Sequence, residues 1–251
     1  MPGPAIPAAT LVVLREGGCA PPDLLAVTRG QAMAFAGGAL AFPGGRVDAA
    51  DHRLAGDHGD DLAAWKIAAI RETLEETAIP VALDPLPAAD LARDLQRRLH
   101  DGEDFAALLD EHALTLDLAD LTPFARWKPA FAQTRIFDTI FFLAAAPGGS
   151  ADDWPPLAQP HECESAEWAS ARDLLDRIDR GTAHAIFPTK RNLERLARFP
   201  SLAAALADAA AHSLDTITPW VEDVAGEPHV CIPQGRGYPV TSEPLATAFR
   251  A

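Results

Sequence analysis

Residues 62–78, LAAWKIAAIRETLEETA, present two opposed faces at helical spacing, and no other stretch restricts the fold so strongly. Ala63, Ile67, Ile70 and Leu74 recur every three or four positions, and Thr77 continues the row, so a helix here lays an apolar stripe on a core. Pro80 stops it. Glu72, Glu75 and Glu76 fall on the other side, related as i, i+3 and i+4. Two carboxylates ~5 Å apart repel by roughly 3 kcal/mol at an effective dielectric of ~20. A solvated acidic face relaxes that repulsion with water, whereas a bound hard cation such as Mg²⁺ or Mn²⁺ reverses it. From the helix alone both readings stand. Arg71, one turn before Glu75, is placed to pair with it, and Ala68 and Ala69 leave space beside the carboxylates.

The rest of the chain alternates strand and helix patterns. Residues 9–14 and 23–28 read as strands around a Gly-Pro turn, Gly17 to Pro22. A glycine-rich stretch, Gly37 to Gly45, ends in FPGG, and a polar loop is expected from Asp48 to Asp61. Two short helices are expected over 88–112, strands over 121–127 and 135–145, and a short strand at ECESAEWAS. Helices follow at 170–179, 189–198 and 201–212, and the tail from 216 to 251 has room for short strands.

With 251 residues, 48% of them hydrophobic, the chain buries a real core. A net charge of -15 repels nucleic acid, yet admits small anions wherever a cation reverses the sign locally. Cys19, Cys163 and Cys231 form neither a disulfide framework nor a zinc-ligand spacing, which suits a reducing cytosol. No signal peptide or membrane-spanning run is read, so a cytoplasmic protein with no membrane partner is expected.

The context upstream of the helix separates the two readings of its acidic face. Phe42 to Ile79 resembles the signature of the Nudix hydrolase family: Gly, five residues, Glu, seven residues, then Arg-Glu-aliphatic-x-Glu-Glu-x-Gly-aliphatic. Gly45 is followed after five residues by Asp51, and the second half stands as RETLEETAI, Arg71 to Ile79. Nineteen residues separate Asp51 from Arg71 where the family has seven. Asp51 replaces the usual Glu, Thr73 an aliphatic residue, and Ala78 the glycine that ends the helix, so the helix is expected to end differently before Pro80. The long insertion, with PFARWKP, RIFDTIFF and FPTKRNLERL, is similar to the peroxisomal acyl-coenzyme A diphosphatase branch.

The resemblance implies one domain over 1–251, a Nudix-type α/β/α sandwich with a mixed β-sheet, a helical insertion near 86–118 and a C-terminal segment from about 185. It implies Mg²⁺ or Mn²⁺ as cofactor and a small-molecule diphosphate as substrate: coenzyme A or acyl-coenzyme A first, ADP-ribose or a dinucleotide as alternative. A non-catalytic ligand sensor of the same fold would lack the glutamates. Glu72, Glu75 and Arg71 are implied as catalytic, with Glu72, Glu75, Glu76 and the main-chain carbonyl of Gly44 as metal ligands. Glu162 and Glu164 are candidates for a further acidic ligand, or are plain surface charge. Arg29, Arg46, Arg126, Lys128 and Arg135 are candidates for holding phosphates through forked hydrogen bonds, each with surface ion pairing as the plainer role. Asp138, inside an apolar strand, is read as a structural carboxylate needing a partner, and Trp65 as packing. The histidines, His52 and His58 included, show no ligand spacing and are assigned no role.

Overall fold

A computed structural model describes residues 4–17, 20–31, 36–56, 59–129, 136–148 and 154–248. Strands β1 (Ile6–Arg15), β2 (Asp23–Arg29), β3 (Leu40–Ala41) and β4 (Gly44–Arg46) precede helices α1 (Ala49–Ala55) and α2 (Ala63–Thr77). A two-stranded ladder of β5 (Leu83–Asp84) and β6 (Thr115–Leu116) brackets α3 (Ala89–His100) and α4 (Phe105–Glu111). Then come β7 (Thr122–Trp127), β8 (Phe137–Ala145), β9 (Cys163–Ser170), α5 (Ala171–Asp179), α6 (Phe187–Leu196) and α7 (Leu202–Ala211). The chain closes with β10 (Trp220–Val224), β11 (Glu227–Cys231), β12 (Ser242–Pro244) and α8 (Leu245–Ala248).

The main sheet is mixed, as expected. β1 runs parallel to β8 over nine residue pairs, from Ile6 opposite Phe137 to Leu14 opposite Ala145. On its other side β1 pairs antiparallel with β4 and then β2, which in turn carries β3 and β9. Strand alternation divides the core in two. Leu11 and Val13 of β1, with Ile140 and Phe142 of β8, face Ile67, Ile70 and Leu74 of α2 and Leu95 of α3. Val12 and Leu14, with Phe141 and Leu143, face Leu174 of α5, Leu193 of α6 and Ala205 of α7. The result is helices on both sides of one sheet, held by fully buried aliphatic side chains that contribute about 1.5–3 kcal/mol each. Among the described residues, no helix is long and apolar enough to cross a membrane.

Two local expectations are corrected. The stretch after Asp48 is not all loop, for Ala49–Ala55 form α1. The Asp51 carboxylate reaches back to accept the N–H of Asp48 at 2.8 Å, satisfying one donor that a helix start leaves unpaired. Two turns of mixed Asp, His and Ala carry too little periodicity to announce themselves. The end of α2 is also unchanged by the missing glycine. Ala78 itself takes the left-handed conformation (φ 57°), and its N–H donates to the Leu74 carbonyl at 2.9 Å. A side chain there is strained by roughly 1–2 kcal/mol. Replacing it should recover part of that, less the added freedom of glycine in the unfolded chain. Ala78→Gly is therefore expected to stabilise the protein by about 0.5–1 kcal/mol, read as a higher urea midpoint at unchanged slope.

Candidate active site

The three glutamates do not form a solvated face. Glu76 is 4% exposed, and the Glu72 and Glu75 side chains are 14% and 16% exposed. Strand β4 makes their position possible. The Glu72 carboxylate occupies the space in which a β-carbon on Gly45 would stand, and a β-carbon on Gly44 would strike the Ala9 carbonyl and Thr10. The paired glycines thus let carboxylates of a helix packed on one face of the sheet reach a cavity over the other. Gly44 meets Glu76 through its N–H, which donates to Oε2 at 3.2 Å. Among the described residues this is the one hydrogen bond that the buried Glu76 carboxylate accepts. A carboxylate so placed either keeps its proton or takes a cation as partner.

Arg71 organises the cluster from behind. Its Nε and Nη2 donate to the two oxygens of Asp51, both at 3.0 Å, and Nη1 donates to Glu72 at 2.8 Å. Nη2 also donates to the Arg46 carbonyl at 3.1 Å. Glu75, expected as the partner of Arg71, is the looser contact at 3.6 Å. Arg71, expected among the catalytic residues, does not line the cavity and stands behind Glu72. Asp51 is 1% exposed and is spent on Arg71 and the start of α1. Trp65 packs against the core and meets His52 edge to face, as its packing role requires.

Crowding of like charges at a desolvated site appears in the proton affinities. Burial pushes the Glu72 carboxyl up to about 7, against the pull of Arg71 and with the Glu75 charge adding to the rise. Burial, and then Glu72, push Glu76 well above the usual carboxylate range, opposed by Arg29 and the Gly44 N–H. Glu75 is raised by burial and by Glu162. An acid whose folded value is raised holds its proton more tightly in the folded state, so the metal-free protein loses stability as pH climbs through about 7. Glu72 alone accounts for at most roughly 3 kcal/mol. In EDTA the melting temperature is expected to fall between about pH 5 and about pH 8, and Glu72→Gln should flatten that slope. A flat parental profile would mean that these carboxyls titrate normally.

One cavity of about 870 Å³ gathers the chemistry. Glu72, Glu76, Glu162, Arg29 and Arg46 line it together with Phe42, Trp127, Phe137, Phe141 and Phe187. Among the described residues the buried Nε of Arg29 has no hydrogen-bond partner, and Arg29 lines the cavity, where a guanidinium suits an anion. Arg126 is not at the cavity; it forms two 2.8 Å hydrogen bonds with Asp138, which is half-buried rather than buried and has the partner expected of it. Lys128 does not line the cavity either, and Arg135 lies outside the described residues, as does His58. Glu164 points away, accepting the Gln31 N–H at 3.4 Å, which leaves Glu162 as the acidic residue brought to the site. One arrangement had no sequence signal: His100, at the end of α3, comes to Glu75 and Glu162, the three ligand atoms lying within 4.8 Å of one another.

A solved Nudix hydrolase from Alicyclobacillus acidocaldarius is 31% identical, over 84% of this chain and 97% of that one, with a TM-score of 0.69. Weaker likenesses include a MutT Nudix hydrolase from Burkholderia pseudomallei (17% identity, 68% and 86% coverage, TM-score 0.39). Another is the Nudix domain of Shewanella oneidensis NrtR, solved with ADP ribose (12% identity, 69% and 78% coverage, TM-score 0.38). No protein-family model and no curated protein matches the chain. The fold, shared with the first of these over most of both chains, is that of an enzyme that hydrolyses pyrophosphate bonds, a class that generally works with divalent metal ions. The chain belongs to the Nudix hydrolase family.

Proposed function

We propose that this enzyme splits the diphosphate of coenzyme A or an acyl-coenzyme A, giving phosphopantetheine, or its acyl form, and 3′,5′-adenosine diphosphate. The whole chain acts in this reading as one catalytic domain. The observation that carries it is the cavity: carboxylates able to hold metal share one space with an aromatic wall from Phe42, Phe137, Phe141 and Phe187. A substrate with a diphosphate and a long, weakly polar arm matches both parts. Glu72, Glu75 and Glu76 would hold Mg²⁺ or Mn²⁺, and the buried, sparsely hydrogen-bonded Glu76 fits a hard cation. An ion held there would supply charge neutralisation for the non-bridging phosphate oxygens and a lower proton affinity for the attacking water. The protein's own part is to place and to receive. One glutamate of the cluster accepts the water proton as the oxygen bonds to phosphorus and the bridging P–O bond breaks. Arg71 holds Glu72 in position, and Arg29, at the cavity wall, offers its guanidinium to a substrate phosphate.

The test is a substrate panel of coenzyme A, acyl-coenzyme A, ADP-ribose and a dinucleoside polyphosphate, with products identified by mass spectrometry. Turnover is expected with Mg²⁺ or Mn²⁺, to vanish in EDTA and to favour the coenzyme A compounds. Preference for ADP-ribose or the dinucleotide would sink the substrate assignment. Full turnover in metal-free buffer would sink the metal mechanism.

A further inference from the structure

We propose that His100 supplies a nitrogen ligand to a divalent ion shared with Glu75 and Glu162, so that the helical segment between β5 and β6 completes a metal site and shifts it from Mg²⁺ toward Mn²⁺. This rests on the reading of α2 as a metal-binding helix. The three groups come from separate elements: Glu75 from α2, His100 from the last position of α3, and Glu162 from the turn before β9. Their ligand atoms nevertheless all lie within 4.8 Å of one another. Ligands around one ion with bonds of ~2.1–2.2 Å stand roughly 3.0 Å apart side by side and 4.3 Å apart across it. Small rotamer adjustments therefore bring all three into one coordination sphere.

The surroundings fix this meeting point. The turn that carries Glu162 is stitched to the end of α2, where the Gln159 N–H donates to the Glu76 carbonyl at 3.1 Å and the Leu157 N–H to the Thr77 carbonyl at 2.9 Å. The same turn is tied to α3, since the buried Gln96 side chain donates to the Leu157 carbonyl at 2.7 Å. The His100 ring lies flat against His161, with centroids 5.3 Å apart and planes 7° from parallel, which limits rotation of the imidazole. The C-terminal end of a helix, where His100 sits, also favours a cation. A site of carboxylates alone suits Mg²⁺ and Mn²⁺ alike. An imidazole nitrogen favours the later transition metals and penalises Mg²⁺, which dehydrates reluctantly and prefers oxygen.

Electron spin echo modulation of bound Mn²⁺ reads the nitrogen directly, whatever the activity. The parent protein loaded with one equivalent of Mn²⁺ is expected to show ¹⁴N modulation, which histidine labelled with ¹⁵N should replace by the ¹⁵N pattern. His161→Ala should keep the modulation and His100→Gln should lose it. By titration, His100→Gln should weaken Mn²⁺ binding ~10-fold or more and Mg²⁺ binding less than ~3-fold. Melting in EDTA checks that His100→Gln folds, and the labelling arm needs no variant. Mn²⁺ bound without nitrogen modulation, as when a charged His100 merely offsets the two glutamates, overturns the inference and leaves the α2 site standing. Modulation that survives in His100→Gln overturns it as well. A parent that binds no Mn²⁺ overturns both.

Discussion

Glu76→Gln and Glu72→Gln are each expected to lower kcat/KM on a confirmed diphosphate substrate by two to three orders of magnitude, roughly 3–4 kcal/mol of transition-state stabilisation. Glutamine keeps the size and a hydrogen-bonding oxygen and removes the charge. Without metal the change relieves repulsion: Glu72 and Glu76 each raise their proton affinity at a desolvated site, and each would lose a like-charged neighbour. Melting temperature in EDTA should therefore hold or rise. Added Mg²⁺ should raise the parent's melting temperature more than either variant's, because only the parent keeps the full ligand set. The combination is diagnostic, since lost turnover without lost stability is what a metal ligand or base predicts. Near-parental turnover in both variants would return α2 to a structural role.

The second large effect falls on stability. Asp51→Asn leaves Arg71 facing a neutral partner in a place where both groups are enclosed, Asp51 at 1% exposure and Arg71 with a 12% exposed side chain. Removing one member of such a pair costs about 3–5 kcal/mol. The lower end applies, because Arg71 retains Glu72 and the Arg46 carbonyl. For a chain of this size roughly 3 kcal/mol corresponds to a fall of about 6–12 °C in melting temperature. Mn²⁺ affinity measured by calorimetry should change far less, since Asp51 does not line the cavity. Metal binding lost with melting unchanged would make Asp51 a ligand and contradict its placement against Arg71.

What could be read in advance follows the range of the interactions. Helix α2 carries its periodicity, its stop and its charges within nineteen residues, Leu62 to Pro80, so its place and its acidic side were legible. β1 and β8 are apolar runs of strand length, and they occupy the predicted places. Burial of Glu76 was not legible, because it depends on β4 having no side chains where the carboxylates pass. The choice of Asp51 and Glu72 over Glu75 as the close partners of Arg71 was equally hidden, being set by how α1 folds back on α2. Arg126 and Asp138 looked like two separate questions and proved to answer each other across the β7–β8 pair. His100 gave no signal, since its neighbours Glu75 and Glu162 lie far off in the chain on either side.

The parallel match of β1 with β8 bears on how the chain is made. The two strands meet across about 130 residues, so one edge of β1 has no mate until more than half the protein has left the ribosome. At 5–20 residues per second that interval lasts roughly 7–26 s, with LVVL and its neighbours open to any other extended segment. Nascent fragments that stop short of Ala145 therefore expose this edge of β1, and the arrival of β8 covers it before β9 joins β2.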